Sequence, residues 1–232
     1  RRGAIGIDPC GKALGLQGVV NGNLTAVATT GNLTDSALLT VTGSSSFSTS
    51  QTDADINFGT LDATGPVTVN TVGTSGNVLI VNAKDLALQG TVQGTLSATA
   101  TLGNLTDSNT LTVSGTSSFR TSQSNATIDM DNLSATGAVT LTTFGTTGHA
   151  TIVNSIALAL RGSVRGNLTA TATTGNLTDS ALLTVSGTSS FTTSQLNASI
   201  DMGTLTATGP AGTRRASLMP ACHAGWFATS VT

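Results

Sequence analysis

Aromatic and charged side chains are scarce in this chain of 232 residues. Aromatic residues make up 3% and charged residues 9%, tyrosine is absent, and all eleven acidic residues are aspartate. An ordinary soluble domain carries about 25% charged residues. Glutamate and lysine favour helices, whereas threonine, valine and isoleucine favour strands, and asparagine and glycine favour turns. The composition therefore predicts an all-β chain.

Basic residues are few within residues 13–210, where Lys84, Arg120, Arg161 and Arg165 stand against ten aspartates. Such an acidic body offers no basic track for phosphates, so we expect no nucleic-acid binding. No apolar run approaches the roughly 18 residues of a membrane-spanning helix, so membrane insertion is not expected either. The N-terminus lacks a charged and then apolar signal pattern, so we expect any export signal to lie outside this chain.

A 72-residue repeat organises the sequence. The hexapeptide GNLTDS recurs at this step, and residues 31–50 match residues 175–194 at 17 of 20 positions, with only Ser/Thr exchanges between them. The register covers residues 14–210, about 2.7 copies. It leaves residues 1–13 as a non-repeat N-terminal end and residues 211–232 as a non-repeat C-terminal tail.

Alternating runs such as LTATATT (168–174), separated by Gly and Asn, predict short strands with one buried face. Three apolar segments of about 24 residues recur per copy, which predicts a parallel β-solenoid of three coils per repeat. Phe47, Phe119 and Phe191 are then expected to fill the core from one shared face. An array of small β-sandwiches is the alternative, although one repeat is short for a sandwich without disulfides and no linker separates the copies.

The sequence resembles a class of bacterial surface proteins. Residues 166–194 (GNLTATATTGNLTDSALLTVSGTSSFTTS) and 197–209 (NASIDMGTLTATG) are similar to the repeats of giant filamentous haemagglutinin-like, β-strand-repeat adhesins. The resemblance extends over most of the chain. It implies a right-handed parallel β-helix, export to the cell surface, and a role in adhesion, cell contact or biofilm matrix.

Recurrent polar residues are the candidate sites, and their recurrence favours structural roles. Aspartates that follow each Asn-Leu-Thr are predicted to cap backbone N–H groups, and the preceding asparagines to lie at matching turns. These residues are Asp35, Asp107 and Asp179, with Asn32, Asn104 and Asn176. A catalytic site is unique in a chain whereas these residues recur, and His149 stands where the preceding copy has Asn77. We therefore predict no catalytic residues and no enzyme activity.

Two aspartate pairs have the spacing of possible calcium ligands. Asp53 with Asp55, and Asp129 with Asp131, would point the same way from a strand and could hold Ca²⁺. The glycine-rich nonapeptide of calcium-binding solenoids is absent, which favours the structural interpretation. No other cofactor is predicted.

The two cysteines lie at opposite ends of the predicted solenoid. Disulfide Cα atoms must approach within about 7 Å, so Cys10 and Cys222 are expected to be free or to bridge two molecules. Unpaired coil edges would allow molecules to stack head to tail into filaments.

Together these features predict a structural or adhesive segment of an extracellular surface fibre, with its own coil edges and host-cell or matrix glycans as partners. An ice-binding solenoid is an alternative, based on the row Thr169, Thr171 and Thr173, which the other copies interrupt. A carbohydrate-active β-helix enzyme is the weaker alternative, because such an enzyme needs clustered acids.

Overall fold

The structure is a computed structural model that describes residues 5–7 and 13–216. Within these residues the regular secondary structure consists of strands, and the strands form two sheets. No helix in this part of the chain is long and apolar enough to cross a membrane.

The 12-stranded sheet comprises β1 (Ile5–Ile7), β2 (Ala13–Val20), β4 (Asn32–Val41), β6 (Ile56–Ala63), β8 (Val78–Asn82), β10 (Leu96–Ala100), β12 (Ser117–Ser124), β14 (Val139–Phe144), β16 (Leu158–Val164), β18 (Leu177–Val185), β20 (Ile200–Asp201) and β21 (Leu205–Ala207). The 10-stranded sheet comprises β3 (Leu24–Ala28), β5 (Ser45–Thr49), β7 (Val67–Asn70), β9 (Leu86–Val92), β11 (Leu105–Val113), β13 (Ile128–Ala135), β15 (Ala150–Asn154), β17 (Leu168–Ala172), β19 (Ser189–Thr193) and β22 (Ala211–Arg215).

From β2 to β20 successive strands alternate between the two sheets, so that one strand from each sheet makes one coil. In the last coil β20 and β21 together take the place of one strand, since both pair with β18. From β2 onwards, each ladder between neighbouring coils is parallel, and the described residues 13–216 form ten coils. The predicted all-β parallel solenoid is therefore confirmed. The sandwich alternative is wrong, because a sandwich would pair antiparallel strands within each repeat, whereas these ladders continue across the repeat boundaries.

The number of coils per repeat differs from the prediction. Strands β4, β11 and β18 are equivalent positions in successive repeats, and each is the seventh strand after the one before it. Seven strands at two per coil make 3.5 coils, so the predicted three coils per repeat are wrong and each coil is shorter than expected. Each repeat is consequently turned by half a coil relative to the one before it, and its equivalent strands move to the opposite sheet.

The phenylalanines follow this half-turn. Phe47, Phe119 and Phe191 are all buried in the core, but they lie on β5, β12 and β19, so Phe119 faces the other two from the opposite sheet. The expectation that they share a face is wrong, because each is an odd number of strands after the one before it. Phe47 stacks on Phe58 of β6 across the core, with ring centroids 4.1 Å apart.

One continuous core runs through the coils, from Leu16 to Ile200. Strands such as β8, β10 and β15 alternate between buried and half-buried residues, as the period-two pattern predicts. Each coil is too small to enclose an apolar interior alone, so burial of these side chains depends on the coils before and after it.

The stack of strands continues past the repeat. Parallel pairing of β22 with β19 extends to Arg215, beyond the end of the repeat at Pro210. At the other end, β1 covers part of the edge of β2 by antiparallel pairing. Cys10 and Cys222 lie outside the described residues, so the intermolecular disulfide stays a prediction.

Equivalent bulges project from β4, β11 and β18. Between paired positions, each of these strands advances four residues while the strand of the preceding coil advances two. The extra residues, 36–38, 108–110 and 180–182, are exposed. The preceding strand has a glycine with positive φ opposite each bulge, such as Gly90 at φ 118°. A Cβ atom at Gly90 would clash with the carbonyl oxygen of Val69.

We expect Gly90→Ala to destabilise the solenoid by at least about 2 kcal/mol, because the substitution combines a disfavoured φ with a backbone clash. Gly59→Ala is the matched control, since a Cβ there has no neighbour within 4 Å and Gly59 lacks a positive φ. The control should leave the melting temperature unchanged or slightly raised. Thermal unfolding followed by circular dichroism measures the melting temperature of each variant. Equal melting temperatures for Gly90→Ala and Gly59→Ala would contradict the steric requirement for glycine at position 90.

Candidate functional site

Asparagine side chains at the start of β4, β11 and β18 connect one coil of each repeat to the next coil. Each of the three recurrent asparagines accepts a hydrogen bond at Oδ1 from a backbone N–H 23 residues later, at 2.9 Å in every copy. The pairs are Asn32 with Asp55, Asn104 with Thr127, and Asn176 with Ser199. These side chains therefore bind the backbone of the following coil rather than their own turn.

The recurrent aspartates act in the same way at the bulges. Asp35 accepts hydrogen bonds from the N–H of Gly59 at 3.1 Å and from the hydroxyl of Thr60 at 2.8 Å. Asp107 and Asp179 accept equivalent bonds from Asn132 N–H at 2.8 Å and Thr204 N–H at 2.6 Å. Because the bulge shifts the strand register, no backbone carbonyl stands opposite these N–H groups. The aspartate side chains supply the missing acceptors.

The first candidate calcium pair is occupied by similar bonds. Asp53 Oδ1 accepts from the N–H groups of Thr74 and Ser75 at 2.7 and 2.9 Å, and Asp55 Oδ1 accepts from Asn77 N–H at 2.7 Å. The backbone bonds from Thr74 and then Ser75 lower the pKa of Asp53. Asp53 has φ 60°, and the equivalent residues of the later copies are asparagines with the same backbone conformation. A capping role explains why either Asp or Asn serves there.

The second candidate pair belongs to an acidic group in the middle copy. Asp129 and Asp131 are exposed on β13, and Asp107 is half-buried on β11 beside them. Burial first, and then the neighbouring Asp131, raise the pKa of Asp107 to about 6. Burial and Asp131 also raise the pKa of Asp129. The first and third copies have Gly59 and Gly203 in place of Asp131, so this crowding is confined to the middle copy.

Within residues 5–7 and 13–216, no group of three or more His, Cys, Asp or Glu residues could hold a metal ion. Calcium binding at either pair stays a prediction.

Two basic side chains lie on the opposite sheet, in the same part of the solenoid. The guanidinium of Arg120 lies over the ring of Phe144, 4.7 Å from its centroid. Arg161 donates from Nε to the hydroxyl of Thr140 at 2.7 Å. The one salt bridge found in the described part of the chain joins Lys84 to Asp62 at 2.7 Å, so neither arginine is neutralised by such a pair.

The residues considered for catalysis and ice binding have other surroundings. His149 accepts the N–H of Asn167 at Nδ1, 2.7 Å away, as Asn77 Oδ1 accepts the N–H of Thr95 one repeat earlier. The imidazole thus replaces an asparagine cap. Thr169 and Thr171 face outward, but Val153 stands beside Thr171 in the preceding coil. The threonine row is therefore interrupted along the solenoid axis as well as between copies.

Two fully buried asparagines were not predicted as site residues. Asn82 and Asn154 end β8 and β15, and each bonds to both the N–H and the carbonyl of an alanine in the preceding coil. Asn154 donates a further bond to the carbonyl of Ala157 at 2.7 Å. The available signal was the recurrence of Val-Asn at the end of an apolar run. A buried amide with four polar sites can satisfy backbone groups on two neighbouring segments at once.

Comparison with known proteins identifies the repeat. A family model described as repeats of unknown function, DUF5649, matches residues 3–70, 75–142 and 147–209. The chain belongs to this family. The spacing between the starts of the three matches equals the period of the sequence. No curated protein and no solved structure matches the chain significantly.

In this chain, each of the three repeats uses its recurrent polar side chains for contacts between coils. The caps at positions 32 and 35 recur in all three copies, and the cap at position 53 recurs at position 125. The buried asparagine is present in both places where its strand is described. The departures from this pattern, Arg120, Phe144, Arg161 and Asp131, cluster in the middle of the solenoid.

Asn154→Ala is expected to destabilise the protein by about 3 kcal/mol or more, because it leaves the backbone groups of Ala135 and Ala157 buried without partners. Asn109→Ala, in an exposed bulge, is the control and should cost no more than about 0.5 kcal/mol. Urea unfolding midpoints compare the two variants. A loss at Asn154 no larger than that at Asn109 would refute the role of the buried amide.

Asp131→Asn should reduce the loss of folding stability that accompanies a rise in pH. The folded-state pKa of Asp107 lies above its ordinary value, so its carboxyl favours folding at about pH 4 and loses that contribution as the pH rises through 6. Removing the neighbouring charge reduces this loss. The melting temperature of the variant minus that of the parent should therefore be greater at pH 7.5 than at pH 4.

Asp201→Asn is the control for this measurement, because Asp201 is exposed and Gly203 stands two residues later where the middle copy has Asp131. Its difference from the parent should change less between the two pH values. If the melting temperature of Asp131→Asn differs from that of the parent by the same amount at pH 4 and at pH 7.5, the proposed repulsion between Asp107 and Asp131 is contradicted.

Proposed function

We propose that the chain is a structural and adhesive segment of an extracellular surface fibre, and that it is not an enzyme. The observation that carries this proposal is the use of recurrent acids and amides as caps between coils. Asp35, Asp107 and Asp179 each bind backbone N–H groups of the next coil. Their side-chain oxygens bind the following coil in every copy, whereas a catalytic pair would be gathered at one place.

The geometry of the solenoid supports a spacer role. Ten coils at the interstrand spacing of about 4.8 Å give a rod of roughly 48 Å over residues 13–216. A further repeat would add 3.5 coils, about 17 Å, without requiring a new core. Stability of such an array is a sum of repeat and interface contributions, so length can change while the fold is retained.

The resemblance to haemagglutinin-like adhesin repeats supports the cell-surface setting. Under this proposal the protein lies outside the cell, and host-cell or matrix glycans are partners of the flat sheet faces. Nucleic acid is not a partner, because the ten acidic residues of the body outnumber its four basic residues.

Exposed sheet edges support head-to-tail growth. In the 10-stranded sheet, β3 pairs with β5 and β22 pairs with β19, and their other edges have no partner strand among the described residues. All five residues of β22 are exposed. Unpaired backbone groups at such an edge are a template for a strand of another molecule.

Thr213→Pro should block this growth without disturbing the solenoid. The carbonyl of Pro210 and the N–H of Ala216 bond to β19, so the even-numbered residues of β22 direct their backbone N–H and carbonyl groups towards β19. By the two-residue alternation of a strand, the N–H of Thr213 points to the open edge. Proline there removes a donor from the open edge and leaves the bonds to β19 in place.

Negative-stain micrographs should show rods several times the roughly 48 Å unit length for the parent protein. Thr213→Pro should give single rods with unchanged circular dichroism, and Thr213→Val, which keeps the N–H, should resemble the parent. Compact single particles for the parent at every concentration tested would contradict the fibre proposal.

A further inference from the structure

The middle of the solenoid carries a basic face on the 12-stranded sheet. Arg120 is exposed on β12, and the ring of Phe144, which is 37% exposed, supports its guanidinium from below. Two coils further on, Arg161 lies on β16, where Thr140 fixes its Nε. At the 72-residue step, Arg120 corresponds to Ser48 and Thr192, and Arg161 corresponds to Gln17 and Gln89, so the repeat pattern does not require either arginine.

The opposite sheet carries an acidic face at the same height. Asp129 and Asp131 are exposed on β13, and β12 and β13 are successive strands of one coil. Arg120 and this aspartate pair therefore lie on opposite sides of the same coil. We call the surface of Arg120 and Arg161 the basic face, and the surface of Asp129 and Asp131 the acidic face.

Among the residues that the structure describes, neither face forms a salt bridge. The salt bridge of the described residues is formed by Lys84 and Asp62, away from both faces. Asp179 and Asp201 are further along the 12-stranded sheet, beyond Arg161, and Asp179 is engaged by Thr204. The coil of Arg120 is thus positively charged on one side and negatively charged on the other, and each side is a flat parallel sheet.

We propose that a second copy of this chain docks side by side with the first, the basic face of one molecule against the acidic face of the next. Arg120 and the acidic face share one coil, so Arg120 of one molecule meets the aspartate pair of the next when the molecules point in the same direction and stand level. The contact joins two different surfaces and does not close on itself, so each added molecule exposes the same pair of faces again. Rods would assemble into rows.

The ring of Phe144 has a specific part in this contact. It holds the Arg120 guanidinium in place by a cation–π interaction, which reduces the conformational freedom lost on docking. Single surface ion pairs are weak and screened by salt, so one pair of molecules associates loosely. Rows become stable when many such contacts act along two fibres. The biological setting of this inference rests on the proposed fibre role, whereas its test does not.

Sedimentation velocity in the Thr213→Pro background separates lateral docking from head-to-tail growth. We expect concentration-dependent association in 20 mM NaCl and its loss in 500 mM NaCl, since the screening length falls several-fold over this range. Arg120→Glu with Arg161→Glu makes both faces acidic, and Asp129→Lys with Asp131→Lys makes both basic. Each double variant alone should associate at least tenfold more weakly than the background protein.

Mixing the two double variants in equal amounts should restore association, because one then supplies acidic and the other basic faces. Arg165→Glu, in the corner between β16 and β17, is the charge-matched control for Arg120→Glu and should associate like the background protein. Circular dichroism shows whether each variant retains its fold. Should a double variant unfold, the single substitutions Arg120→Gln and Asp131→Asn test the same contact.

Unchanged association of the folded variants, or no recovery on mixing them, would overturn the inference. It would also fail if the arginine substitutions abolished binding to immobilised heparin but left self-association intact, because the basic face would then be a polysaccharide site. None of these outcomes affects the fibre proposal, which depends on end-to-end rods of the parent protein.

Discussion

Every coil of this solenoid has to match its backbone N–H and carbonyl groups with those of the coils on either side. Along the strands the parallel ladders provide the match, but the bulges and corners shift the register and would leave N–H groups without acceptors. Short side chains with an oxygen close to the backbone solve this problem. Asparagine and aspartate reach the next coil, as Asn32 and Asp35 do, whereas glutamate has an extra methylene and more conformational freedom to lose.

The fold was predictable because its determinants are periodic. Alternating apolar residues specify strands, and a period without linkers specifies stacked coils. The number of coils was not predictable in the same way, since nothing in a run of short strands tells which of two sheets each strand joins. Counting apolar segments combined neighbouring strands and therefore gave coils that were too long and too few. The placement of Phe119 opposite Phe47 and Phe191 follows from that difference.

The sequence predicted that the recurrent Asp and Asn residues cap backbone groups, but it did not predict which backbone groups they bind. The recurrence of Asp35 and Asn32 indicated caps, but turn propensities describe local bonds, and these side chains bind residues 23 to 25 positions later. Asn154 was missed because composition scales treat asparagine as a surface or turn residue. The charged faces in the middle of the solenoid could not be found from the sequence, since Arg120 and Asp131 belong to successive strands and only the coil geometry places them on opposite sides.

The odd number of strands in a repeat also constrains how such chains can change in length. Gain or loss of one repeat unit by recombination keeps the core intact, yet it rotates everything after the junction by half a turn about the rod. Gain or loss of two units restores the original orientation. The number of repeats therefore determines the orientation of whatever follows them. A ligand-binding module placed beyond the repeats would keep its side of the fibre when an even number of repeats is gained or lost, and would face the opposite side when the number is odd.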